Sequence, residues 1–255
     1  MARAAAFFDL DRTLLRRSSA LALAGPFRAH GVIDRRQLAK AAAWQLLFAA
    51  RGAGAETVRK AAEDGLMILK GFRADDVRTL VAGAMEPILK PLVYQEPLRL
   101  LERHRDRGEP VFIVSATLQE IVEELAAELG FDGAIGSTCE IVDGVYTGRS
   151  LRPCHGAGKA AAVRELAERE GIELAYSTAY SDSHTDLPFL EAVGHPVAVN
   201  PDRELRRLAA ERGWPVLQFS EAAFPAVRRL PPALVGIPFV LGAGAAVWAA
   251  RRRAA

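Results

Sequence analysis

Residues 4–14 of the chain, AAAFFDLDRTL, combine an apolar run with two closely spaced aspartates. The first half of this stretch, Ala4 to Phe8, is a short continuous apolar run of the kind that forms a strand buried on both faces. Asp9 and Asp11 follow at once, so both carboxylates are expected at the carboxyl end of that strand. An Asp-x-Asp pair alone is as compatible with a solvated turn as with an active site, so other parts of the chain have to decide.

Residues 18 to 105 have the periodicity and the glycine breaks of helices, without a convincing strand. The helices expected before residue 90 are Ala20–Ala29, Asp34–Ala50, Ala55–Lys70 and Asp75–Ile88, with Asp34 and Asp75 as N-caps. A block of helices directly after a first strand indicates a helical subdomain inserted into another fold. We therefore expect an all-helical cap at residues 15–95.

From Glu96 onward the pattern changes to alternating helices and strands. Helices are expected at Pro97–Arg107, Leu118–Leu129, Gly158–Glu170, Leu187–Val193 and Glu204–Arg212, and strands at Pro110–Ser115, Gly133–Gly136, Thr178–Ser181, Pro196–Val199 and Pro215–Phe219. Residues Glu140–Gly148 are expected to form a hairpin that turns at Asp143-Gly144. Strands that alternate with helices form parallel sheets covered on both faces. The fold class predicted for residues 1–14 and 96–222 is therefore α/β, a doubly wound, Rossmann-like parallel sheet.

A second acidic group, residues 182–186 with the sequence DSHTD, follows the predicted strand Thr178–Ser181. Ligands of such sheets bind outside the carboxyl ends of the strands, so Asp182 and Asp186 are expected near the first acidic pair. Carboxylates that converge repel one another unless a cation is bound, and oxygen ligands with coordinated water suit magnesium. We therefore predict Mg²⁺ as the cofactor.

Two further residues have functional interpretations that are weak in isolation. Ser115 ends a predicted strand, where a hydroxyl and backbone N–H groups can hold a phosphate oxygen, although strands that end in serine are common. Lys159 opens a helix after two glycines, and helix N-termini favour anions; standing alone, it would be interpreted as a solvated surface lysine. The run GAGK at residues 156–159 is not a nucleotide P-loop, because Pro153 and Ala160 stand where that motif needs glycine and Ser or Thr.

Taken in order, the Asp-x-Asp-x-Thr motif, the helical block, the strand-end serine, the lysine and the last acidic pair resemble the haloacid dehalogenase-like hydrolase superfamily. Within it, the chain resembles the branch that includes phosphoserine phosphatase, whose helical cap lies between the first and second motifs. The resemblance covers about residues 4–220. It implies a magnesium-dependent phosphatase that hydrolyses a phosphate monoester, a small phosphorylated metabolite or a lipid-derived phosphate, through an aspartyl-phosphate.

The resemblance also implies a role for each matching residue. Asp9 would be the nucleophile and a metal ligand, and Asp11 the general acid and then base, with its backbone carbonyl as a second ligand. Asp182 would be the remaining protein ligand of the metal. The other matching residues are Ser115 and Lys159, which would bind phosphate, Asp186, which would support the metal shell, and Thr13, which would fix the loop geometry.

One position departs from the pattern of phosphoserine phosphatases. Those enzymes usually carry a glutamate a few residues after the first motif, to recognise the amino group of the substrate, and Ser18 stands at the matching position. This difference argues against phosphoserine as the substrate. Arg16 and Arg17, just before it, could favour a second anionic group or simply face solvent.

Two rival functions stay open. A phospho-acceptor signalling domain also uses a strand-end aspartate, a hydroxyl and a lysine, but it needs neither Asp11 as an acid–base group nor a large helical insert. A membrane-tethered scaffolding domain without turnover is disfavoured, because all the expected polar residues are present.

Composition sets broader limits. The 255 residues include 33 basic and 31 acidic side chains with a formal net charge of +2, which does not indicate a nucleic-acid partner. The two cysteines, Cys139 and Cys154, support neither a disulfide framework nor a cysteine metal site, and fit a reducing cytoplasm.

The C-terminal segment Leu230–Ala250 has 21 residues without a charge, with arginines on both sides. That length can cross a bilayer core, although three prolines and three glycines make the segment only moderately hydrophobic. A membrane-spanning helix, an interfacial helix and a helix packed on protein all stay open. We therefore expect a cytoplasmic catalytic domain with membrane contact through a hydrophobic C-terminal helix.

Overall fold

The computed structural model describes residues 3–32 and 69–224 of the chain. Seven strands form one sheet in the order β4-β3-β2-β1-β5-β6-β7. The strands are β1 (Ala6–Phe8), β2 (Val111–Leu118), β3 (Gly133–Val142), β4 (Val145–Arg152), β5 (Thr178–Ser181), β6 (His195–Val199) and β7 (Val216–Leu217). Neighbouring strands pair in parallel except β3 and β4, which are antiparallel. The predicted, mostly parallel sheet is confirmed.

Helices connect most of these strands. They are α1 (Ser19–Ala29), α2 (Ala74–Ala84), α3 (Gln95–Asp106), α4 (Gln119–Leu129), α5 (Ala157–Glu170), α6 (Leu187–Leu190) and α7 (Arg203–Arg212). A π-helical turn covers Met85–Leu89, and 3₁₀ turns cover Lys90–Leu92, Leu174–Tyr176 and His184–Asp186. The alternation of helices and strands after residue 96 matches the prediction, with element ends shifted by a few residues.

The helix predicted at Asp75–Ile88 differs from the structure at both ends. Its N-cap is Arg73, so Asp75 lies in the first turn of α2 and the predicted cap is wrong. The α-helix ends at Ala84 and continues as the π-helical turn, which contains Pro87. Proline lacks the N–H that a regular helical hydrogen bond needs, which explains the change of winding.

The central strand β1 connects two apolar layers. Its three residues are buried, and β2 and β5 flank it on either side. Phe7 stacks on Phe112 with ring centroids 5.8 Å apart, while Phe8 stacks on Tyr180 at 4.2 Å, and each pair belongs to a separate apolar cluster. Residues of α1 to α4 join the cluster of Phe8, and residues of α5 to α7 join that of Phe7. The sheet is therefore covered on both faces, as predicted.

The prediction that the second strand ends at Ser115 is wrong, because β2 continues to Leu118. Its pairing with β3 shifts register in between, because Val114 pairs with Ile135 and Leu118 with Ser137. The extra residues of β2 form a bulge, a device that re-aims side chains next to active sites. Ser115 thus lies where the strand leaves its regular register.

The hairpin of β3 and β4 is longer than predicted. The brief strand expected at Gly133–Gly136 continues to Val142, and the turn at Asp143-Gly144 is confirmed. Both turn residues have positive φ, 52° and 76°, which two-residue hairpin turns favour. Cys139 and Cys154 are free and buried.

Parts of the predicted cap and the predicted C-terminal helix lie outside residues 3–32 and 69–224. The helix Asp34–Ala50 and nearly all of Ala55–Lys70 lie there, while α1 and α2 are described and contact each other. In residues 3–32 and 69–224, no helix is long and apolar enough to cross a bilayer. Segment Leu230–Ala250 lies outside these ranges, so its helix and its membrane contact stay predictions, as does the division into cap and core.

Candidate active site

A buried lysine connects two of the predicted acidic residues at the carboxyl edge of the sheet. The Nζ of Lys159 donates hydrogen bonds to Oδ1 of Asp9 at 2.5 Å and to Oδ2 of Asp186 at 2.6 Å. All three residues are less than a tenth exposed. Burial opposes the charged ammonium, but the charges of Asp186 and Asp9 outweigh burial and raise the pKa of Lys159. Lys159 is therefore a fixed cation inside the site and not a solvated surface lysine.

The two glycines before Lys159 explain how it reaches this position. A Cβ on Gly158 would lie 2.3 Å from the carbonyl oxygen of Pro153, so only glycine lets the start of α5 pack against the preceding loop. Gly156 has a φ of 51°, in the left-handed region. The Nζ of Lys159 also lies 5.3 Å from the ring centroid of Phe189. The two glycines of the GAGK run thus allow the close backbone packing that places Lys159 in the site.

Asp9 is held through both carboxylate oxygens. While Oδ1 accepts from Lys159, Oδ2 accepts a hydrogen bond from the hydroxyl of Thr13 at 3.1 Å. Its backbone N–H donates to the carbonyl of Tyr180 on β5 at 2.9 Å. Burial raises the pKa of Asp9 to about 6, against the lowering effect of Lys159. The fully buried Thr13 therefore orients the carboxylate directly, in addition to shaping the loop.

Asp11 belongs to a different local network. Its Oδ1 accepts a hydrogen bond of 2.8 Å from the backbone N–H of Ser19, the first residue of α1. Burial raises the pKa of Asp11, while hydrogen bonds from Ser19 and Ser18 act in the opposite direction. A carboxyl group whose pKa is raised holds a proton at higher pH than an ordinary aspartate, which suits a general acid.

Asp182 and Asp186 come from the turn after β5. The Asp182 carboxylate is 3.3 Å from Nε of Arg12, and Asp186 accepts a hydrogen bond of 2.7 Å from the hydroxyl of Ser181. Burial raises the pKa of Asp182 well above its ordinary value, and the nearby charge of Asp9 adds to the rise. The two predicted acidic motifs therefore meet at one edge.

Ser115 lies at the margin of this cluster. Its side chain is buried, and its Oγ accepts a hydrogen bond of 3.1 Å from the backbone N–H of Thr117. Cys154 connects Ser115 to the cluster, because its thiol interacts with the Ser115 backbone and with the charge of Lys159. Burial raises the pKa of this thiol to about 11, so Cys154 is a neutral packing residue. Among the hydrogen bonds of the described residues, none joins Ser115 directly to Asp9 or Lys159.

The acidic residues suit a magnesium ion by the chemistry of their donor atoms. Asp9 and Asp182 are buried close enough for the charge of one to raise the pKa of the other, and a bound cation would relieve that repulsion. Within residues 3–32 and 69–224, no three His, Cys, Asp or Glu side chains form a ready cluster for a metal. The predicted set does not need one, because Asp11 would contribute its backbone carbonyl.

Sequence reasoning missed several residues that complete the site. Arg12 occupies the variable place in Asp-x-Asp-x-Thr, so only the fold reveals its ion pair with Asp182. Ser181 directly precedes the second acidic motif, a strand-end position that could have identified it. Asp202 caps α7, and its Oδ2 accepts a hydrogen bond of 2.8 Å from the ring Nδ1 of His184. His184 therefore helps to hold the acidic turn in place.

Known sequences related to this chain include hydrolases and phosphatases. A family model described as haloacid dehalogenase-like hydrolase matches residues 6–191. A probable phosphatase of Mycobacterium tuberculosis is 42% identical over 260 residues, which cover 99% of this chain and 90% of the relative. A phosphoserine phosphatase of the same organism is 37% identical over 245 residues, covering 95% of this chain and 77% of the relative. The match thus extends over nearly the whole chain.

Solved structures have the same fold. A Bordetella pertussis Tohama I protein, described as having unknown function, aligns with a TM-score of 0.75 at 29% identity, covering 85% of this chain and 99% of its own. A phosphoserine phosphatase, solved as an analogue of its phospho-aspartyl intermediate, aligns with a TM-score of 0.62 at 17% identity. The alignment covers 87% of this chain and 95% of the phosphatase chain. At 17% identity the likeness concerns the fold alone. Both alignments support the fold described above.

Proposed function

Because the chain belongs to the haloacid dehalogenase-like hydrolase family and is a hydrolase of the phosphatase type, we propose that it hydrolyses a phosphate monoester through an aspartyl-phosphate on Asp9. The observation that carries the proposal is the buried Lys159, held between Asp9 and Asp186. A carboxylate attacks a phosphate dianion poorly because the charges repel. A fixed ammonium 2.5 Å from the attacking carboxylate offsets this repulsion.

The proposed reaction has two steps. In the first, a carboxylate oxygen of Asp9 bonds to phosphorus while the ester P–O bond breaks, and Asp11 gives its proton to the departing alcohol oxygen. In the second, Asp11 takes a proton from water as the water oxygen attacks the same phosphorus. Inorganic phosphate leaves, and Asp9 is regenerated. Dividing the reaction into two displacements replaces one difficult step by two easier ones.

The raised pKa of Asp11 supports its proposed double role. Its carboxyl must be protonated for the first step and ionised for the second, and a pKa above that of an ordinary aspartate favours the protonated form that the first step needs. The N–H of Ser19 keeps the group oriented in both forms, since it donates to Oδ1.

We propose magnesium as the cofactor, held by the carboxylates of Asp9 and Asp182 and by the backbone carbonyl of Asp11. When bound, it would act as a Lewis acid that takes up charge on the phosphoryl oxygens. Asp186 would serve the ion indirectly, through Lys159. The buried hydroxyl of Ser115 would bind a phosphate oxygen at the bulge of β2.

The substrate is proposed as a small phosphorylated metabolite or a lipid-derived phosphate. A relative that is 37% identical is named as a phosphoserine phosphatase. Ser18, the residue before α1, replaces the glutamate expected of such enzymes and interacts with Asp11. The proposed cap, residues 15–95, would therefore set a specificity of its own.

The test is turnover of para-nitrophenyl phosphate with magnesium, in wild type and in Asp11→Asn. Loss of the acid–base group is expected to lower kcat by about 10²–10⁴-fold. The matched control is Asp143→Asn, the same chemical change in the exposed hairpin turn, which should leave kcat unchanged. No magnesium-dependent turnover in the wild type would refute the proposal, and a stable phosphorylated Asp9 without turnover would favour a phospho-acceptor domain.

A further inference from the structure

A pocket of about 320 Å³ lies beside the acidic turn at the carboxyl edge of the sheet. Its polar lining includes Arg12, Arg16, Tyr94, Asn200, Arg206 and Gln218. Asp182 also lines it, so the pocket adjoins the proposed metal site. Three arginines from two distant parts of the sequence therefore converge next to the place where the chemistry is proposed.

The backbone holds the arginines in place. Arg16 lies in the loop between β1 and α1, and its N–H donates to the carbonyl of Leu92 at 2.8 Å. The N–H of Tyr94 returns a hydrogen bond of 3.0 Å to the carbonyl of Leu14 in the same loop. Arg206 projects from α7, whose first turn is capped by the carboxylate of Asp202. The pocket is thus formed by segments that are hydrogen-bonded to one another or capped.

Asn200 makes one wall of the pocket rigid. Its side chain accepts from the N–H of Phe219 at 2.9 Å and donates to the carbonyl of Phe219 at 3.1 Å and to the hydroxyl of Tyr94 at 3.3 Å. Its backbone adopts a φ of 42°, which non-glycine residues rarely do. Such strain persists where the surroundings hold it, and it is frequent at ligand sites.

The charges of the pocket favour an anion. Among the described residues, Arg16 and Arg206 form no ion pair, whereas the neighbouring Arg207 pairs with Glu204 and Glu211. The acidic residues of the lining are already engaged. Asp182 pairs with Arg12, and Asp202 bonds His184 and caps α7.

We infer that this pocket binds a second anionic group of the substrate, a carboxylate or a second phosphate-type group, through Arg16 and Arg206. The inference rests on the proposed function and narrows it to phosphate esters that carry a further negative charge. Planar guanidinium groups bind such oxyanions through two parallel hydrogen bonds. Arg12 would connect the two subsites, because its Nε also contacts Asp182.

The test measures binding by calorimetry with magnesium present. The probes are ω-phosphonocarboxylic acids with two to six carbons between the two acid groups, the same acids with the carboxyl group as its methyl ester, and α,ω-bisphosphonates of the same lengths. For at least one length, the acid or the bisphosphonate should bind about tenfold more tightly than the ester, as expected for a charge-assisted hydrogen bond. The Arg16→Gln/Arg206→Gln variant should lose this preference. The adjacent pair Arg17→Gln/Arg207→Gln, outside the pocket lining, is the matched control and should keep it.

The outcomes separate this inference from the proposed function. If the carboxyl methyl ester binds as tightly as the acid and the bisphosphonate at every length, or if Arg16→Gln/Arg206→Gln keeps the preference, the anion subsite is refuted. If the wild type prefers the charged probes but does not turn over para-nitrophenyl phosphate, the subsite stands and the phosphatase mechanism fails. Preference for the acid over the bisphosphonate would identify a carboxylate substrate, and the reverse a second phosphate.

Discussion

The protein contains two networks of charged groups, one centred on the buried Lys159 and one on the buried His104, and they differ in their balance of charge. Around Lys159, one cation faces Asp9 and Asp186, with Asp11 and Asp182 close by. Around His104, in the apolar layer of Phe8, the charges of Arg107 and Glu109 balance each other. The first network has more negative than positive groups, whereas the positive and negative groups of the second are equal in number.

The hydrogen bonds of the second network show what a purely structural arrangement looks like. Nδ1 of His104 is 2.5 Å from a carboxylate oxygen of Glu109, and Nε2 is 2.9 Å from the hydroxyl of Tyr180. Burial lowers the pKa of His104, so the neutral ring can donate to Glu109 and accept from Tyr180. Every member thus has a partner inside the protein. The carboxylates of the acidic network also have partners, but negative charges outnumber positive ones there, as expected of the proposed cation site.

The substitution expected to lower activity most is in the acidic network. Asp9→Asn removes the proposed nucleophile, and turnover of para-nitrophenyl phosphate should fall by at least about 10³-fold. The free energy of unfolding in urea should stay unchanged or rise, because one of several repelling carboxylates becomes neutral. A variant that retains turnover, or that is clearly less stable, would show that this carboxylate is structural.

Lys159→Met should affect both activity and stability. It leaves the buried carboxylates of Asp9 and Asp186 without their shared cation, so the free energy of unfolding should drop by about 3 kcal/mol or more. The control is Lys90→Met, which removes ion pairs with the exposed Glu86 and Glu128 and should lower the free energy of unfolding much less, because solvent screens such pairs. Equal losses in urea denaturation would contradict the assignment of Lys159 as the central cation.

Glu109→Gln is expected to show the reverse pattern of Asp9→Asn. It weakens the charged hydrogen bonds to His104 and Arg107, so the free energy of unfolding should fall by about 1–2 kcal/mol. Magnesium-dependent kcat should stay within about twofold of wild type, because Glu109 lies just before β2, at the opposite end of the strand from the bulge. A large loss of kcat without loss of stability would contradict the division between the two networks.

The smallest effect is a dependence of stability on pH. Because burial lowers the pKa of His104 from 6.5, the unfolded chain takes up the proton more readily than the folded one. This contribution to stability is present above pH 6.5 and is lost as the pH falls below it. Urea denaturation at several pH values should show the free energy of unfolding of the wild type rising with pH in this range, and this slope should be flatter in His104→Gln. His195→Gln, at an exposed histidine of β6, is the control and should keep the slope.

The sequence predicted the main features of the fold because local patterns determine them. The apolar run before Asp9 had to be a buried strand, and the Asp143-Gly144 turn is confirmed with its hairpin. The boundaries that failed depend on tertiary contacts. Asp75 is not the N-cap that its residue type suggested, and β2 continues past Ser115 because β3 still offers pairing partners.

The candidate site was predictable where its residues follow strands. Asp9 and Asp182 could be placed from their position after apolar runs, and their roles remain proposals. The arginine pocket could not be predicted, because nothing local indicates that the loop of Arg16 and helix α7 with Arg206 lie side by side. Periodicity describes one element at a time, whereas this pocket depends on which elements meet.

The hydrogen bond from Ser19 to Asp11 has a consequence for how such enzymes diversify. The chain that enters the insert begins with the amide that orients the proposed proton donor. If residues 15–95 act as the proposed cap, a lineage that exchanges all of them alters substrate choice and the acid strength of Asp11 together. A chimera that joins a foreign segment after residue 19 keeps the N–H of Ser19 beside Asp11 and, on the proposed function, would change the substrate without changing the acid. The first turn of α1 is thus the place where the proposed cap can be exchanged while the hydrogen bond from Ser19 to Asp11 is kept.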